Sequence, residues 1–596
     1  MISRFGNLLA AALVLGAACV ATGCGDIESD VVDDAGRADA PPPSVDRSAV
    51  AIDPSSISFT DVTEAAGVAW RHHSGATGDK RLPETMGGGV ALFDHDDDGD
   101  ADLLFVGGRS WTDSSSPGTV GPLALYRNDS ADGTLAFTDI TEEAGLSDVD
   151  LYGMGVAVGD ADADGDRDLF VTAVGEDRLF RAEHGVYVDV TAEAGVGGGS
   201  GDDAWSTSAG FFDADADGDL DLFVLRYVRW SPAIDAEVDP RADGVGRVYG
   251  PPGEYRGTFP VLYLNRGDGT FEDASADAGI HLVEGGAPLA KALGLTFVDL
   301  DGDLDGDPAL DVLVANDTVR DFAFRNLGDG RFEETGEFLG VAYDADGRST
   351  GGMGIDAGYL GQDDNLSIVI GNFDGEASSL FRAQDDPEFF VEESIATGLA
   401  AATRDRLTFG LVLLDVDLDG RLDLVQANGH VEPQIADISS TAVYRQPGQL
   451  LLGREGRFEE APSIGALAEP LVGRGLAYAD LDLDGDLDLV LTALDERPRI
   501  LRNDQATGHR WLRVRLIDRA PNRDAIGARV ELTVDGTTQR RRVVPTRSYL
   551  SQVESTLTFG LGTATSIDEL TVVWPDGSRE LVEVDGLDRL VVVRSK

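Results

Sequence analysis

The sequence predicts an all-β protein, a seven-bladed β-propeller followed by a small C-terminal β-sandwich. Three observations predict it. An aspartate-rich nonapeptide recurs along the chain, and two other short signals recur in step with it. The hydrophobic runs between them are short and bounded by Gly, Asp and Asn, as strands are and helices are not.

The nonapeptide reads Asp-x-Asp-x-Asp-Gly-x-x-Asp. Clear copies start at Asp94 (DHDDDGDAD), Asp160 (DADADGDRD), Asp213 (DADADGDLD), Asp415 (DVDLDGRLD) and Asp480 (DLDLDGDLD). A sixth copy from Asp299 (DLDGDLDGDPALD) is expanded, and a seventh near Asp356 (DAGYLGQDD) has lost most of its carboxylates. The intervals between first aspartates are 66, 53, 86, 57, 59 and 65 residues.

The second signal is led by an aromatic residue and often ends in Ala-Gly or Leu-Gly. It starts at Phe59, Phe137, Tyr187, Phe271 and Phe332, and more weakly near Phe389 and Phe458. The third is a strand-like segment, often ending in Arg-Asn, that starts at Leu125, Leu179, Leu262, Phe324, Leu380, Leu450 and Ile500. About four short strands per ~60 residues, repeated seven times, fit one propeller blade per repeat. A linear β-solenoid is the structural alternative, with shorter and more uniform rungs. The Phe59 segment precedes the first loop and no equivalent follows Asn503, so the N-terminal strand is expected to complete the last blade. The long third interval holds an insertion, Tyr227 to Pro260, rich in Trp, Tyr, Pro and Arg. It reads either as a binding surface or as a structured lid.

Four segments divide the chain. Residues 1–23 form an export signal, with Arg4, an apolar run from Leu8 to Val20, and small residues. Ala21-Thr22-Gly23-Cys24 resembles a bacterial lipobox, with Ala21 where Leu is commonest; Cys24 is the expected lipidation site, and a plain secretory signal is the alternative. Residues 24–56, acidic and rich in Pro and Ala, read as a solvated tether. Residues 57–507 are assigned to the propeller and 508–596 to the second β domain. No Cys follows Cys24, so both folded domains must be stabilised without disulfides.

The formal charge of −61 excludes nucleic acid and unaided binding to anionic lipid, and favours cations as partners. The charge is uneven. From Gly508 onward there are 14 Lys+Arg against 12 Asp+Glu, leaving 33 against 96 for everything before it.

Calcium explains the aspartate spacing. A hard cation wants six to eight oxygens, and the first, third, fifth and ninth side chains of such a loop converge while Gly permits the turn. The expected ligands are Asp94, Asp96, Asp98 and Asp102, with the Asp100 carbonyl; Asp160, Asp162, Asp164 and Asp168; Asp213, Asp215, Asp217 and Asp221; Asp415, Asp417, Asp419 and Asp423; and Asp480, Asp482, Asp484 and Asp488. In the expanded copy the register is open among Asp299, Asp301, Asp303, Asp305, Asp307 and Asp311. Five or six Ca2+ sites follow. An EF-hand would need a bidentate Glu at position twelve and flanking helices, and neither is present. Zinc or copper would need His or Cys, which are scarce.

The loops resemble the FG-GAP/VCBS calcium repeats of integrin-like propellers. AIGARVELTVDG from Ala525, SYLSQVESTLTFGLG from Ser548 and IDELTVVWPDG from Ile567 resemble the ASPIC/UnbV domain, and the stretch from His72 to Asp100 is similar to the same family. That resemblance to cartilage acidic protein-like chains implies secretion, calcium binding and adhesion or matrix roles, with no established active site. Independently, the tail reads as strands at Leu512–Ile517, Val530–Val534, Arg541–Val544, Leu570–Trp574 and Leu590–Val593. Its basic cluster, Arg540-Arg541-Arg542 with Arg547, could dock on the acidic propeller, bind an anionic glycan, or lie on a solvated strand edge.

No nucleophile elbow, zinc-protease helix, phosphate loop or dinucleotide fingerprint occurs. His72, His73 and His430 are the histidines in suggestive settings. Two readings follow. The first is a monomeric, calcium-binding scaffold that binds an extracellular protein or glycan. It would be exported to a bacterial outer membrane or cell surface through its N-terminal lipid, or secreted. The second is a propeller enzyme acting on polysaccharide near His72, His430 or the insertion.

Overall fold

The computed structural model describes residues 57–596 apart from 112–120, 132, 199–202, 301–308, 361–364, 385–388 and 463. The signal segment, Cys24, nearly all of the tether, and Asp301, Asp303, Asp305 and Asp307 lie outside the described residues.

The body is a propeller-like all-β fold of seven sheets, each with four antiparallel strands of its own; the first also takes on two short strands, Thr546–Arg547 and Ser551–Gln552, from the C-terminal domain. The first comprises Val90–Phe93, Asp102–Val106, Leu123–Asn128 and Phe137–Asp139; the second, Gly153–Gly159, Asp168–Ala173, Arg178–Glu183 and Val186–Asp189. The third holds Ser206–Phe212, Asp221–Arg226, Val261–Asn265 and Phe271–Asp273; the fourth, Ala292–Val298, Asp311–Asn316, Phe322–Asn326 and Phe332–Glu334. The fifth holds Ile355–Tyr359, Leu366–Ile370, Ser379–Ala383 and Phe390–Glu392; the sixth, Thr408–Leu414, Asp423–Asn428, Gln449–Arg454 and Arg457–Glu460. The seventh combines Gly473–Ala479, Asp488–Ala493 and Arg499–Asn503 with Phe59–Asp61. Phe59 pairs with Asn503, so the first strand among the described residues does complete the last sheet. In the fifth sheet the buried aromatic is Phe390, one residue beyond the expected Phe389, which is exposed.

Two repeated residues explain how successive sheets pack. Six of the seven first strands carry a glycine five residues before the loop: Gly89, Gly155, Gly294, Gly354, Gly410 and Gly475, with Ser208 in the third sheet. A Cβ on Gly354 would stand 2.1 Å from the Phe409 carbonyl oxygen, and one on Gly475 would stand 2.4 Å from that of Gly88. The backbones of neighbouring sheets, the seventh and first included, approach too closely for any side chain. The Asn of the Arg-Asn signal does the rest. Asn265 Nδ2 donates to the Ala161 carbonyl of the preceding sheet at 2.7 Å, Asn326 to Ala214 at 3.1 Å, Asn503 to Val416 at 3.0 Å, and Asn128 to Leu481 of the seventh sheet at 3.0 Å.

The C-terminal domain sets a three-stranded sheet (Leu557–Gly562, Arg510–Ile517, Leu590–Arg594) against a four-stranded one (Thr537–Arg542, Arg529–Val534, Glu569–Val573, Arg579–Leu581). They share one core containing Leu512, Val530, Phe559, Leu570 and Trp574. The expected strand at Arg541–Val544 is shifted to Thr537–Arg542, because Val543 still packs in the sandwich core while Val544 to Glu554 leaves it and enters the propeller-like body. There Gln552 pairs with Ala91, the Ser548 backbone pairs with Ile355 at 2.8 and 3.0 Å, and Ser208 Oγ accepts from Leu550 N at 3.3 Å. Thr296 Oγ1 donates to the Thr546 carbonyl, Leu411 N to Ser548 Oγ, and Asp480 N to Glu554 Oε1. This hairpin binds the first strands of six sheets, and Leu550 packs on Gly155 of the remaining one.

The insertion is a lid. Tyr227, Trp230 and Tyr255 are buried in one cluster with Leu82, Met86, Trp205 and Tyr549, so they form no open binding surface. Arg247 donates to the Asp79 carbonyl, Tyr249 Oη to Glu84 Oε2 at 3.3 Å, and Lys80 pairs with Glu432 beneath Tyr249.

Candidate metal centres

Each aspartate loop joins the first and second strands of a sheet. The residue before the first Asp pairs with the ninth Asp, as in Phe93 with Asp102, Phe212 with Asp221 and Ala479 with Asp488. The turn is the same five times over. Position four is left-handed at Asp97, Ala163, Ala216, Leu418 and Leu483 (φ 59–62°), and position six is glycine with φ between 91 and 107°. One oxygen of the first Asp accepts from that glycine N–H at 2.8–3.1 Å in all five loops.

The ninth Asp is foremost a brace. Asp102 accepts from His95 N at 2.7 Å and from Asn128 N at 2.7 Å, tying the loop to the third strand. Asp168, Asp221, Asp311, Asp423 and Asp488 repeat the arrangement.

Carboxylate oxygens of Asp94, Asp96 and Asp102 lie within 4.8 Å of one another, as do those of Asp160, Asp162 and Asp168; Asp213, Asp215 and Asp221; Asp415, Asp417 and Asp423; and Asp480, Asp482 and Asp484. The fifth-position Asp98, Asp164, Asp217 and Asp419 fall outside these clusters and accept from the N–H of position seven instead. Asp484 joins its cluster in place of Asp488.

These residues fit a cation. Oδ1 of Asp94, Asp160, Asp213 and Asp480 is buried without any hydrogen-bond donor. A buried acceptor left so is costly, and a metal ion is the partner that an acceptor-only carboxylate can take. Burial, reinforced by neighbouring carboxylates, raises the pKa of Asp160 and Asp213 to about 6, of Asp102 and Asp480 to about 7, and of Asp168 and Asp221 to about 8. Two further carboxyls escaped the sequence reading, which expected Asp100 to offer only its backbone carbonyl. The carboxyls of Asp100 and Asp486, at position seven, each hold a buried, unpartnered Oδ1, and burial raises them to about 8 and about 10. The Gly-Asp pair at positions six and seven was the available signal.

The expanded and degenerate copies behave differently. Asp299 is gripped by Arg542 at 2.7 Å with Arg529 at 3.6 Å, and Asp311 braces the loop as its counterparts do. Asp356 is not the first position of a loop. It lies within the strand Ile355–Tyr359, fully buried and paired with Arg547 at 3.2 Å, and the Gly354 spacing puts Tyr359 at the loop position. A count by Asp alone misplaced the frame by three residues.

The basic cluster faces inward. Arg542 and Arg547 hold Asp299 and Asp356, while Arg515 reaches Asp94 at 2.8 Å and Arg513 reaches Asp480 at 2.9 Å. Arg542 and Arg547, both half-buried, are thus engaged by carboxylates of the sheets. His72 and His430 are buried; each accepts a backbone N–H through Nδ1, and burial holds both near pKa 4, hence neutral. Arg474 lies between them, donating to the carbonyls of Thr85, Gly429 and His430.

Comparison with known proteins places these features. Residues 518–596 match the family model described as ASPIC and UnbV. Cartilage acidic protein 1 of Homo sapiens is 25% identical over 527 residues, covering 83% of this chain and 70% of the relative. The Mus musculus and Xenopus tropicalis proteins of the same name are 24% and 25% identical, each covering 83% of this chain and 71% of their own. A solved Agrocybe aegerita lectin, studied for recognition of non-reducing terminal N-acetylglucosamine, aligns over 64% of this chain and 87% of its own at 14% identity. The TM-score of that alignment is 0.36.

Proposed function

We propose that this ASPIC/UnbV protein is an exported, calcium-stabilised scaffold that binds other extracellular molecules. The observation that carries the reading is the buried, unpartnered Oδ1 at the first position of four separate loops, each beside the third and a further carboxylate of the same turn. Chance placement of one such atom is ordinary; the same atom at the same position in Asp94, Asp160, Asp213 and Asp480 is a design for a divalent ion. Calcium would supply the cross-links that a chain without later cysteines lacks. Export is supported by the N-terminal apolar run and by relatives named for cartilage. Among the described residues no helix is long and apolar enough to cross a membrane, and Cys24 is the proposed lipid attachment point. The relatives' name describes a tissue component rather than an activity, which favours binding of an extracellular protein or glycan over catalysis.

The test is a calorimetric calcium titration of the chelator-treated protein. Uptake of four to six ions supports the reading; no uptake at millimolar calcium sinks it.

A further inference from the structure

A recessed cavity of about 70 Å3 lies where the C-terminal domain meets the fourth to seventh sheets, lined by the side of the entering hairpin and by Asp299, Asp415 and Glu554. The carboxylates at its wall are already matched. Asp299 is held by Arg542, Glu554 by Arg513 and Asp480 N, and Asp415 accepts from Asp419 N at 3.0 Å and Gly420 N at 2.8 Å within its own loop. Arg541 is different. It lines the cavity and packs over the Phe559 ring at 5.6 Å, yet among the described residues no carboxylate stands within ion-pair distance of it. Its guanidinium donates only to the Arg540 carbonyl at 3.0 Å and, weakly, to Gln539 Oε1 at 3.5 Å. Arg547 and Arg542, its neighbours on the same wall, each have an acidic partner.

A guanidinium cannot escape its charge by losing a proton, so holding Arg541 half-buried in a recess without a directly paired counter-ion is unfavourable. The attraction of Asp415 is the leading opposing influence on Arg541, and a calcium ion on that loop would cancel it. The wall also offers the side chains of Tyr359, Tyr478 and Thr556, whose hydroxyls can donate. The space suits a few waters or one small ion with its residual water.

We propose that this cavity is an anion site, taking a halide of the size of chloride as the counter-ion of Arg541. The site locks the C-terminal domain onto the propeller-like body; it rests on the Asp415 loop holding a divalent ion, whether calcium or another, because without one Asp415 itself offsets the Arg541 charge.

The experiment is thermal melting of the full chain in saturating calcium, at constant ionic strength, with glutamate replaced stepwise by chloride, bromide or phosphate. The melting temperature should rise with the logarithm of chloride or bromide concentration, as linkage to a bound ion requires. Arg541→Gln should remove that slope. An equal slope in the variant, or a rise with phosphate and none with halide, overturns the assignment. If the variant fails to fold, crystals of the unaltered protein grown in bromide decide the question. An anomalous peak beside the Arg541 guanidinium supports the site, and water alone there refutes it.

Discussion

The Asp213 and Asp415 loops share their aspartates at positions one, three, five and nine, their glycine at six, and their backbone turn, with φ of 62° at Ala216 and 59° at Leu418. Their surroundings differ. The Asp213 loop borders solvent, with Asp217 exposed, Oδ1 of Asp213 unpartnered, and no arginine paired with any of its carboxylates among the described residues. The Asp415 loop is buried under the C-terminal domain. Arg454 reaches Asp417 at 2.7 Å and Asp419 at 2.9 Å, His509 Nδ1 lies 2.7 Å from the Asp417 carbonyl, and Gly560 presses so near Asp415 that a Cβ there would stand 2.1 Å from Oδ2. Nine residues dictate the loop; the elements packed on it decide which charge neutralises it.

The largest expected effect would erase the difference. Chelation removes the ions from every loop at once, and should lower the melting temperature by roughly 10 °C or more, given several ions each contributing through linkage. An unchanged melt in EDTA would show that arginine pairing suffices.

The next prediction separates the two loops directly. In calcium-free solution Asp417→Asn leaves Arg454 short of a buried partner and should cost about 3–5 kcal/mol in denaturant unfolding. Asp213→Asn in the same solution removes a charge whose charged neighbours are carboxylates, while the amide oxygen can still accept from Gly218 N–H, and should cost little. In calcium, Asp213→Asn should lower the stoichiometry by one. Equal destabilisation by the two variants would erase the distinction.

Asp356 sharpens the comparison from outside the metal sites. Asp356→Asn should destabilise by about 3 kcal/mol, through loss of its buried pair with Arg547, while calcium uptake stays unchanged. A lost ion would restore Asp356 as a ligand.

The smallest effect is on pH. Burial raises Asp213 to about 6 and Asp221 to about 8 in the folded chain, whereas unfolded aspartate titrates near ~4. The folded state therefore binds more protons across this window, so the calcium-free chain should gain stability as pH falls from about 8 to about 6. The calcium-saturated chain should not gain, because protons then compete with the ion. Melting curves with and without calcium read both slopes; a calcium-free chain that loses stability on acidification in that window would refute the assignment.

Much of the fold was legible because each repeat carries its own instructions. Phe59 announced the completing strand through its match to Phe137 and Phe271, and the Arg-Asn signal marked the ends of third strands. The Asp loops were legible as loops, since the Gly at position six and the alternation of Asp force one compact turn. Asp356 was misread because local spacing in a degenerate copy offers two frames, and only the packing of Gly354 against Phe409 selects one. The lid was half legible. Its Trp and Tyr residues signalled a large apolar surface, but nothing local says whether that surface faces a ligand or Leu82 and Met86.

The sequence by itself determined the repeat, the order of strands within each repeat, the carboxylate turns and the split between an acidic body and a near-neutral tail. These depend on residues within a dozen positions of one another, where backbone geometry and periodicity leave few choices. Only the tertiary structure decided which carboxylates meet arginine and which stay open, that Val544 to Glu554 leaves its own domain for the middle of the sheets, and that Arg541 ends beside a cavity with no carboxylate at ion-pair distance among the described residues. Those outcomes join residues hundreds of positions apart, and they are set by which surfaces exclude water from each other, a property that no local pattern encodes.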